Sequence, residues 1–406
     1  MDQPLWFRNM LPRTTETNRA LFIQLARLGD LIQSLPAIEA VRDRYPRRPL
    51  DLLCSAPLAP LFEKTGVLDR LIPWNGAQWR AWADQWPHNS LPTLRSMNTY
   101  MSTLGELGYD RVYSLNQHAR SMLIAQLFSK HSLEAHQTRK ADHEANPWAQ
   151  YLRQLAKERG TNRVHLADAW CGLCGVRPTG RAPILKGPET DLPEDLAAIR
   201  GREGVWVALV TGAGDPARCV PVNVWASWVR EFLTDIDDAQ VLLVGSGQER
   251  DAGQAILEMT PALLQGRVWD TTGRTTLNQL VTLFGRCTWV IGADTGPLHL
   301  ATALGIRTVG LYFARARVHE TGPYGEGHWV FQHATQSQPN EWPIKESIEV
   351  ISGRNRRPAS GWSLCESHLD EWGVFFQDSS SPQAMDLQRV AVWKALSPNL
   401  FDSVAA

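Results

Sequence analysis

Ala293-Asp294-Thr295-Gly296 stand between an apolar run and a helix-like segment that carries His299 close to its start. A carboxylate, a hydroxyl, a glycine and an imidazole in one strand-to-helix turn suggest an anion site. The first turn of a helix leaves backbone N–H groups unpaired, and the helix dipole favours negative charge there. His299 adds a donor one turn in, although a lone histidine at such a place is commonly a packing residue. The combination in one turn points to the phosphates of a nucleotide.

Three other turns carry groups that could meet that anion or its partner. In "VTGAGDPAR" (210–218), Thr211 and Gly212 open a glycine-rich turn, and Arg218 could add a permanent positive charge. In "VGSGQERDAG" (244–253), Glu249 could accept hydrogen bonds from a ribose or a base. It reads equally well as a first-turn glutamate favoured by the helix dipole. In "RLGD" (27–30), Gly29 permits a tight turn and Asp30 projects from the end of a strand, a good position for a general base. A helix N-cap is the competing reading of Asp30.

The elements that would hold these turns follow from the alternation of short apolar runs and amphipathic segments. Strands are expected at 20–25, 49–56, 70–74 and 109–115, with helices at 27–46, 58–66, 88–108 and 119–130. The alternation restarts after a polar stretch at 187–204, with strands at 205–210, 239–245, 289–293 and 307–313. Helices fall between them at about 221–235, 248–260, 275–286 and 296–304, and another is expected at 344–352. This predicts an α/β protein of two Rossmann-like units facing a cleft, with ligands at the strand C-termini. The expected division is a leader at 1–19, domains at 20–195 and 200–352, and an unplaced appendage at 353–406.

Bulk properties agree with that picture and exclude others. A chain of 406 residues is long for one core. A net charge of −1 supplies no global field toward nucleic acid or membrane. Basic stretches at 42–48 and 354–357 could still meet an acidic lipid surface. Six scattered cysteines suit reduced thiols in a cytoplasmic setting. There is no secretory h-region and no apolar run of spanning length. Several of the tryptophans crowd into "WNGAQWRAWADQW" (74–86), a sugar- or lipid-facing surface or a buried cluster. "CGLC" (171–174) has CxxC spacing without a partner pair, so packed thiols are expected of Cys171 and Cys174. His131, His136 and His143 match no metal signature and read as part of a mobile polar loop at 131–146. No GxGxxG or P-loop pattern follows either first strand.

"GADTGPLHLATALGIRTVGLY" and "LARLGDLIQSLPAIEAVRDRYP" resemble two motifs of the family 9 glycosyltransferases, the bacterial ADP-heptose:lipopolysaccharide heptosyltransferases. The resemblance covers about residues 20–350. It implies a GT-B fold and an inverting, metal-independent transfer that needs no cofactor. A heptose would move from ADP-heptose to a lipopolysaccharide-core or other glycan acceptor. It also implies roles: Asp30 as the base, and Asp294, Thr295, Gly296 and His299 at the donor pyrophosphate. Thr211, Gly212 and Arg218 would lie at the donor phosphates, Arg218 replacing a family lysine. Glu249 would lie near the nucleoside, and Arg27 and Arg120 on the acceptor side. The chain departs from the family at Val210-Thr211-Gly212, at Asn116 and His118, and in "FARARVHETGPYG" (313–325), which leaves another nucleotide sugar, a non-lipid acceptor or a non-catalytic binding protein as alternatives.

Overall fold

The first apolar run forms β1 (Ala20–Gln24), and all five residues are buried, as a central strand covered on both faces requires. This computed structural model describes residues 19–103, 109–116, 119–135, 146–187, 190–334, 339–379 and 386–400. After β1 come α1 (Leu28–Gln33), α2 (Leu35–Arg44), β2 (Leu50–Ser55) and β3 (Arg70–Trp74). The expected single helix over 27–46 is broken at Ser34, because Pro36 cannot donate to the turn before it and instead sits at the start of α2.

Next are α3 (Gly76–Gln85), α4 (Ser90–Thr103), β4 (Tyr109–Ser114), α5 (Ala119–Phe128), β5 (Ser129–Ala135), α6 (Pro147–Leu155) and α7 (Leu166–Leu173). One of these elements adds to the sequence reading and another corrects it. The tryptophan-rich stretch is helix α3, where Trp79 stacks on Trp74 at 4.8 Å between ring centroids and meets Trp82 edge-on at 5.3 Å. Residues 129–135, expected as helix end and loop, form an edge strand parallel to β4. Such pairing is a tertiary effect that a polar run does not announce. His131 lies on that strand, whereas His136 and His143 fall outside the described residues.

The second half runs β6 (Val205–Val210), α8 (Val222–Asp235), β7 (Ala239–Val244), α9 (Arg250–Met259), α10 (Ala262–Gln265), β8 (Val268–Asp270), α11 (Leu277–Phe284) and β9 (Trp289–Ala293). It continues with α12 (Gly296–Ala303), β10 (Arg307–Tyr312), α13 (Val318–Thr321), β11 (Trp329–His333) and α14 (Ile344–Ile351). Then come β12 (Trp362–Asp370), β13 (Gly373–Asp378) and α15 (Leu387–Leu396). The first sheet has the order β3-β2-β1-β4-β5 and the second β13-β12-β11-β10-β9-β6-β7-β8. Both reverse their winding beside the first strand, so each has a crevice at its strand C-termini, after β1 and β4 and after β6 and β9.

The segment after 353, which had no expected place, completes the second sheet. β12 pairs antiparallel with β11, and β13 with β12. From there α15 returns to the first half, where Trp393 lies 4.3 Å from Trp148 between ring centroids. Trp148 also donates to the Ser397 hydroxyl at 2.7 Å. Arg389, fully buried on α15, holds the β12–β13 turn through Asp370 at 2.6 and 2.9 Å and the Gly373 carbonyl at 2.9 Å.

The halves meet closely where α1 faces α12. A Cβ placed on Gly296 would lie 2.9 Å from Leu28 Cβ, and one on Gly29 would lie 3.0 Å from His299 Cδ2. Leu28 Cβ is the root of its side chain and cannot swing away. Gly296→Ala is therefore expected to cost about 1–3 kcal/mol by overpacking. The expected readouts are a melting temperature several degrees lower and a larger radius of gyration in X-ray scattering. An alanine variant with unchanged melting and size would show that the two helices tolerate a wider separation.

Candidate active site

Between the two halves lies a cavity of about 640 Å³ whose wall includes Arg27, Asp30, Arg218, Asp294, Thr295, Gly296 and His299. It opens at both crevices, because each of these residues sits in a loop or first helical turn after a strand. Asp30 is the third residue of α1 and not its N-cap, a position Arg27 takes. The Asp30 carboxylate accepts from the Arg27 amide at 3.3 Å. Burial pushes its pKa up, and the Arg27 hydrogen bond and the charge of His299 only partly oppose that.

The loop carrying Asp30 is braced from the neighbouring strand. Asn116, after β4, accepts from the Leu25 amide at 2.6 Å and donates to the buried Gln24 side chain. Gln24 in turn accepts from the Ala26 amide at 3.3 Å. The sequence reading did not pick Gln24. Its signal was an amide at the end of an otherwise apolar strand.

On the opposite wall Asp294 organises three groups. Its carboxylate accepts from Arg218 at 2.9 Å and lies 3.2 Å from His299 Nε2, and its carbonyl accepts from the same arginine at 2.9 Å. Burial alone would raise the Asp294 pKa, but the His299 hydrogen bond and the charges of His299 and Arg218 hold it below the ordinary range. Thr295 caps α12 without using its side chain. Its Oγ1 is buried and has no hydrogen-bond partner, although it borders the cavity. A buried hydroxyl left unpaired is costly unless something binds there. The Gly296 N–H, at the start of α12, borders the same space.

The two walls are tied together. Arg27 reaches across to the Gly214 carbonyl at 3.2 Å. Gln33, buried on α1, lies 3.3 Å from the His299 ring nitrogens and donates to the Thr321 carbonyl at 3.2 Å. Gln33, Arg159 and Glu320, which also line the cavity, were not singled out, whereas Arg315 belongs to the arginine-bearing stretch 313–325 expected beside the pockets. Gln33 resembles any polar residue on a helix face, and only the packing of the halves reveals its partner.

Other expected site residues gather elsewhere. Thr211 is tied to the sheet, its hydroxyl donating to the Val244 carbonyl at 3.0 Å. Glu249 accepts from the Ser246 amide at 2.7 Å and hydroxyl at 2.6 Å, a capping box in the reading that competed with ribose binding. A Cβ on Gly212 would lie 2.4 Å from the Glu249 carboxyl carbon, so these three form one cluster at the ends of β6 and β7, outside the cavity wall. Arg120 lies on α5, with its side chain outside the described part. In the basic stretches, Arg42 donates to the Val67 carbonyl at 3.0 Å, and Arg354 and Arg356 pair with Asp235 and Glu366. Cys171 and Cys174 are buried and form no disulfide, and burial raises Cys171 well above the ordinary range. Among the described residues no helix is long and apolar enough to cross a membrane.

The family model described as Glycosyltransferase family 9 (heptosyltransferase) matches residues 97–347, more than half of the chain. The chain belongs to glycosyltransferase family 9. It is 24% identical over 295 residues to lipopolysaccharide heptosyltransferase 2 of Escherichia coli K12, covering 70% of this chain and 80% of that one. It is 33% identical over 138 residues to lipooligosaccharide heptosyltransferase 2 of Haemophilus influenzae, covering 34% and 38%. Among solved structures it resembles E. coli ADP-heptose lps heptosyltransferase II, with a TM-score of 0.58, 19% identity and coverage of 83% and 98%. It also resembles E. coli heptosyltransferase WaaC with ADP, with a TM-score of 0.60, 17% identity and coverage of 83% and 100%. The fold of this family 9 glycosyltransferase is GT-B.

Asp294→Asn keeps the shape of the donor-side network and removes its charge. It is expected to destabilise the fold by about 2 kcal/mol at pH 7, the scale of hydrogen bonds to a charged group. Because the folded carboxyl sits below the ordinary value of 3.8, its contribution is complete above that pH and is lost on acidification below it. Denaturant melts between pH 3 and 8 should show that acid-side slope in the native protein and its loss in the variant. Equal stability at pH 7 would mean that Arg218 and His299 are held without the charge.

Proposed function

We propose that this glycosyltransferase moves a heptose from ADP-heptose to a lipopolysaccharide-core acceptor, with inversion and without a metal ion. The observation that carries the reading is the pairing across one cavity of Asp30 with the Thr295–Gly296 helix start and Arg218. The names of the relatives, which are heptosyltransferases, supply the sugar and the acceptor class.

In this reading the donor diphosphate rests on the Gly296 N–H at the start of α12 and the unpaired Thr295 hydroxyl. Arg218, aimed by Asp294, faces the same oxygens. As the anomeric C–O bond lengthens, negative charge builds on the leaving diphosphate, and these fixed positive groups stabilise it where it develops. Asp30, from the opposite wall, takes the proton of the acceptor hydroxyl as that oxygen attacks the anomeric carbon from the face away from the leaving group. One face for attack and the other for departure inverts the centre. His299 keeps Asp294 ionised so that Arg218 stays in place.

Asp30→Asn is expected to lower kcat about 10²–10⁴-fold while leaving ADP affinity unchanged, as loss of a general base should. Since burial raises the Asp30 pKa, kcat/KM should begin to fall, as the pH is lowered, above the ordinary aspartate value of 3.8. Full turnover in the variant would remove Asp30 from the reaction.

The donor is tested by thermal shift with ADP, UDP, GDP and CMP, each with and without EDTA, followed by transfer assays with ADP-heptose. A ligand at ~100 times its dissociation constant adds about 2.7 kcal/mol of stability. ADP alone should raise the melting temperature, and EDTA should change neither that shift nor turnover. A shift with UDP or GDP in its place would keep the fold and the base but remove heptose. Loss of turnover in EDTA would end the metal-independent mechanism.

A further inference from the structure

One carboxylate on the cavity wall has no part in the mechanism above. Glu320 belongs to the single turn α13, which is fixed at three points. The Thr321 carbonyl accepts from Gln33 at 3.2 Å and from the Tyr312 hydroxyl at 2.7 Å, and the Val318 amide donates to Gln332 at 2.9 Å. Glu320 is only 6% exposed, yet it lines the cavity. One of its oxygens lies 3.6 Å from Arg159 of the first half. The other, Oε2, is buried without a hydrogen-bond partner.

A fold does not usually bury a carboxylate oxygen and leave it unsatisfied, because the lost hydration is not returned. For the ionised carboxylate the missing partner must be a donor. A phosphate offers none at neutral pH and would be repelled, whereas a sugar presents a hydroxyl at nearly every carbon. We propose that Glu320 is a substrate-contacting, specificity-determining residue whose Oε2 accepts a hydrogen bond from a sugar hydroxyl bound in the cleft. This rests on the glycosyl-transfer reading of the same cavity. Burial raises the Glu320 pKa to about 7 against the opposing charge of Arg159, so a bound hydroxyl would also relieve the cost of ionising it. The hydroxyl belongs either to the transferred sugar or to the acceptor, and kinetics separate the two.

The test uses the full chain with Glu320→Gln and Glu320→Asp. The wild type is first assayed with ADP-heptose and a lipopolysaccharide-core acceptor, and ADP affinity is measured by calorimetry for all three proteins. In Glu320→Gln the KM for one sugar substrate should rise about 10- to 100-fold with kcat within about threefold, the pattern of a contact made equally in ground and transition states. ADP affinity should not change, because ADP carries neither the transferred sugar nor the acceptor sugar. A raised KM for ADP-heptose alone assigns the contact to the donor sugar, and a raised acceptor KM alone assigns it to the acceptor. If Glu320→Gln does not fold, Glu320→Asp, which keeps the charge but shortens the reach, should raise the same KM. Both KM values within twofold of an active wild type would overturn the proposal and leave the transferase reading intact. So would a fall in ADP affinity that tracks a fall in melting temperature, which marks a purely structural role. A wild type inert toward every nucleotide sugar tried would overturn both.

Discussion

The close approach of α1 to α12 is the constraint on which the site depends. Gly29 and Gly296 let two helix starts from different halves come within van der Waals contact, with a hypothetical Gly29 Cβ only 3.5 Å from Gly296 Cα. Asp30 follows Gly29 in the chain, and Thr295 precedes Gly296. The two groups proposed to handle the proton and the phosphates are thus set against each other by the shortest covalent route available. A side chain at either glycine would have to be accommodated by moving one half against the other. The separation of the reacting groups and the packing of the halves are therefore one quantity.

Burial alone would raise the pKa of both Asp30 and Asp294 in the cleft, and their neighbours send the net shifts in opposite directions. Asp30 has one amide and distant charges to offset its desolvation, and its pKa rises. Asp294 has an arginine and an imidazole in contact, and its pKa falls. A carboxylate that gains from taking a proton suits a base, and one that resists protonation suits a fixed anchor for a cation. Two residues of the same type in one cavity acquire different proposed uses from their neighbours alone.

Much of this was legible in the sequence, for identifiable reasons. The doubly wound alternation, the turn 293–296 and the "RLGD" turn stood out because long buried strands read as apolar runs and the residues that end them are small or charged. What stayed hidden depends on packing between distant segments. Edge strand β5, the short β8 and the β12–β13 hairpin pair with neighbours that their own residues do not specify. Glu249 read equally well as a ribose ligand or a first-turn acid, and the Ser246 hydrogen bonds settle its geometry as a cap. Gln33 and Glu320 were invisible because nothing local distinguishes a buried inter-half contact from a solvated polar side chain.

The loop after β10 shows why substrate identity is the last thing to become readable. Among the described residues Ala314 is the one non-glycine with positive φ, at 53°. That conformation costs an alanine roughly 1–2 kcal/mol. Its carbonyl accepts from Arg317 at 2.9 Å, so the surroundings hold the turn in that form. From there the chain enters α13, whose last carbonyl is gripped by Gln33 of the other half. The segment that presents Glu320 and Arg315 to the cavity is thus placed by strain at one end and by the opposite half at the other. A change in the loop that relieved the strain would also move the side chains proposed to face the sugar. Substrate preference can then shift between relatives of one fold without any change in the turns proposed to carry the chemistry.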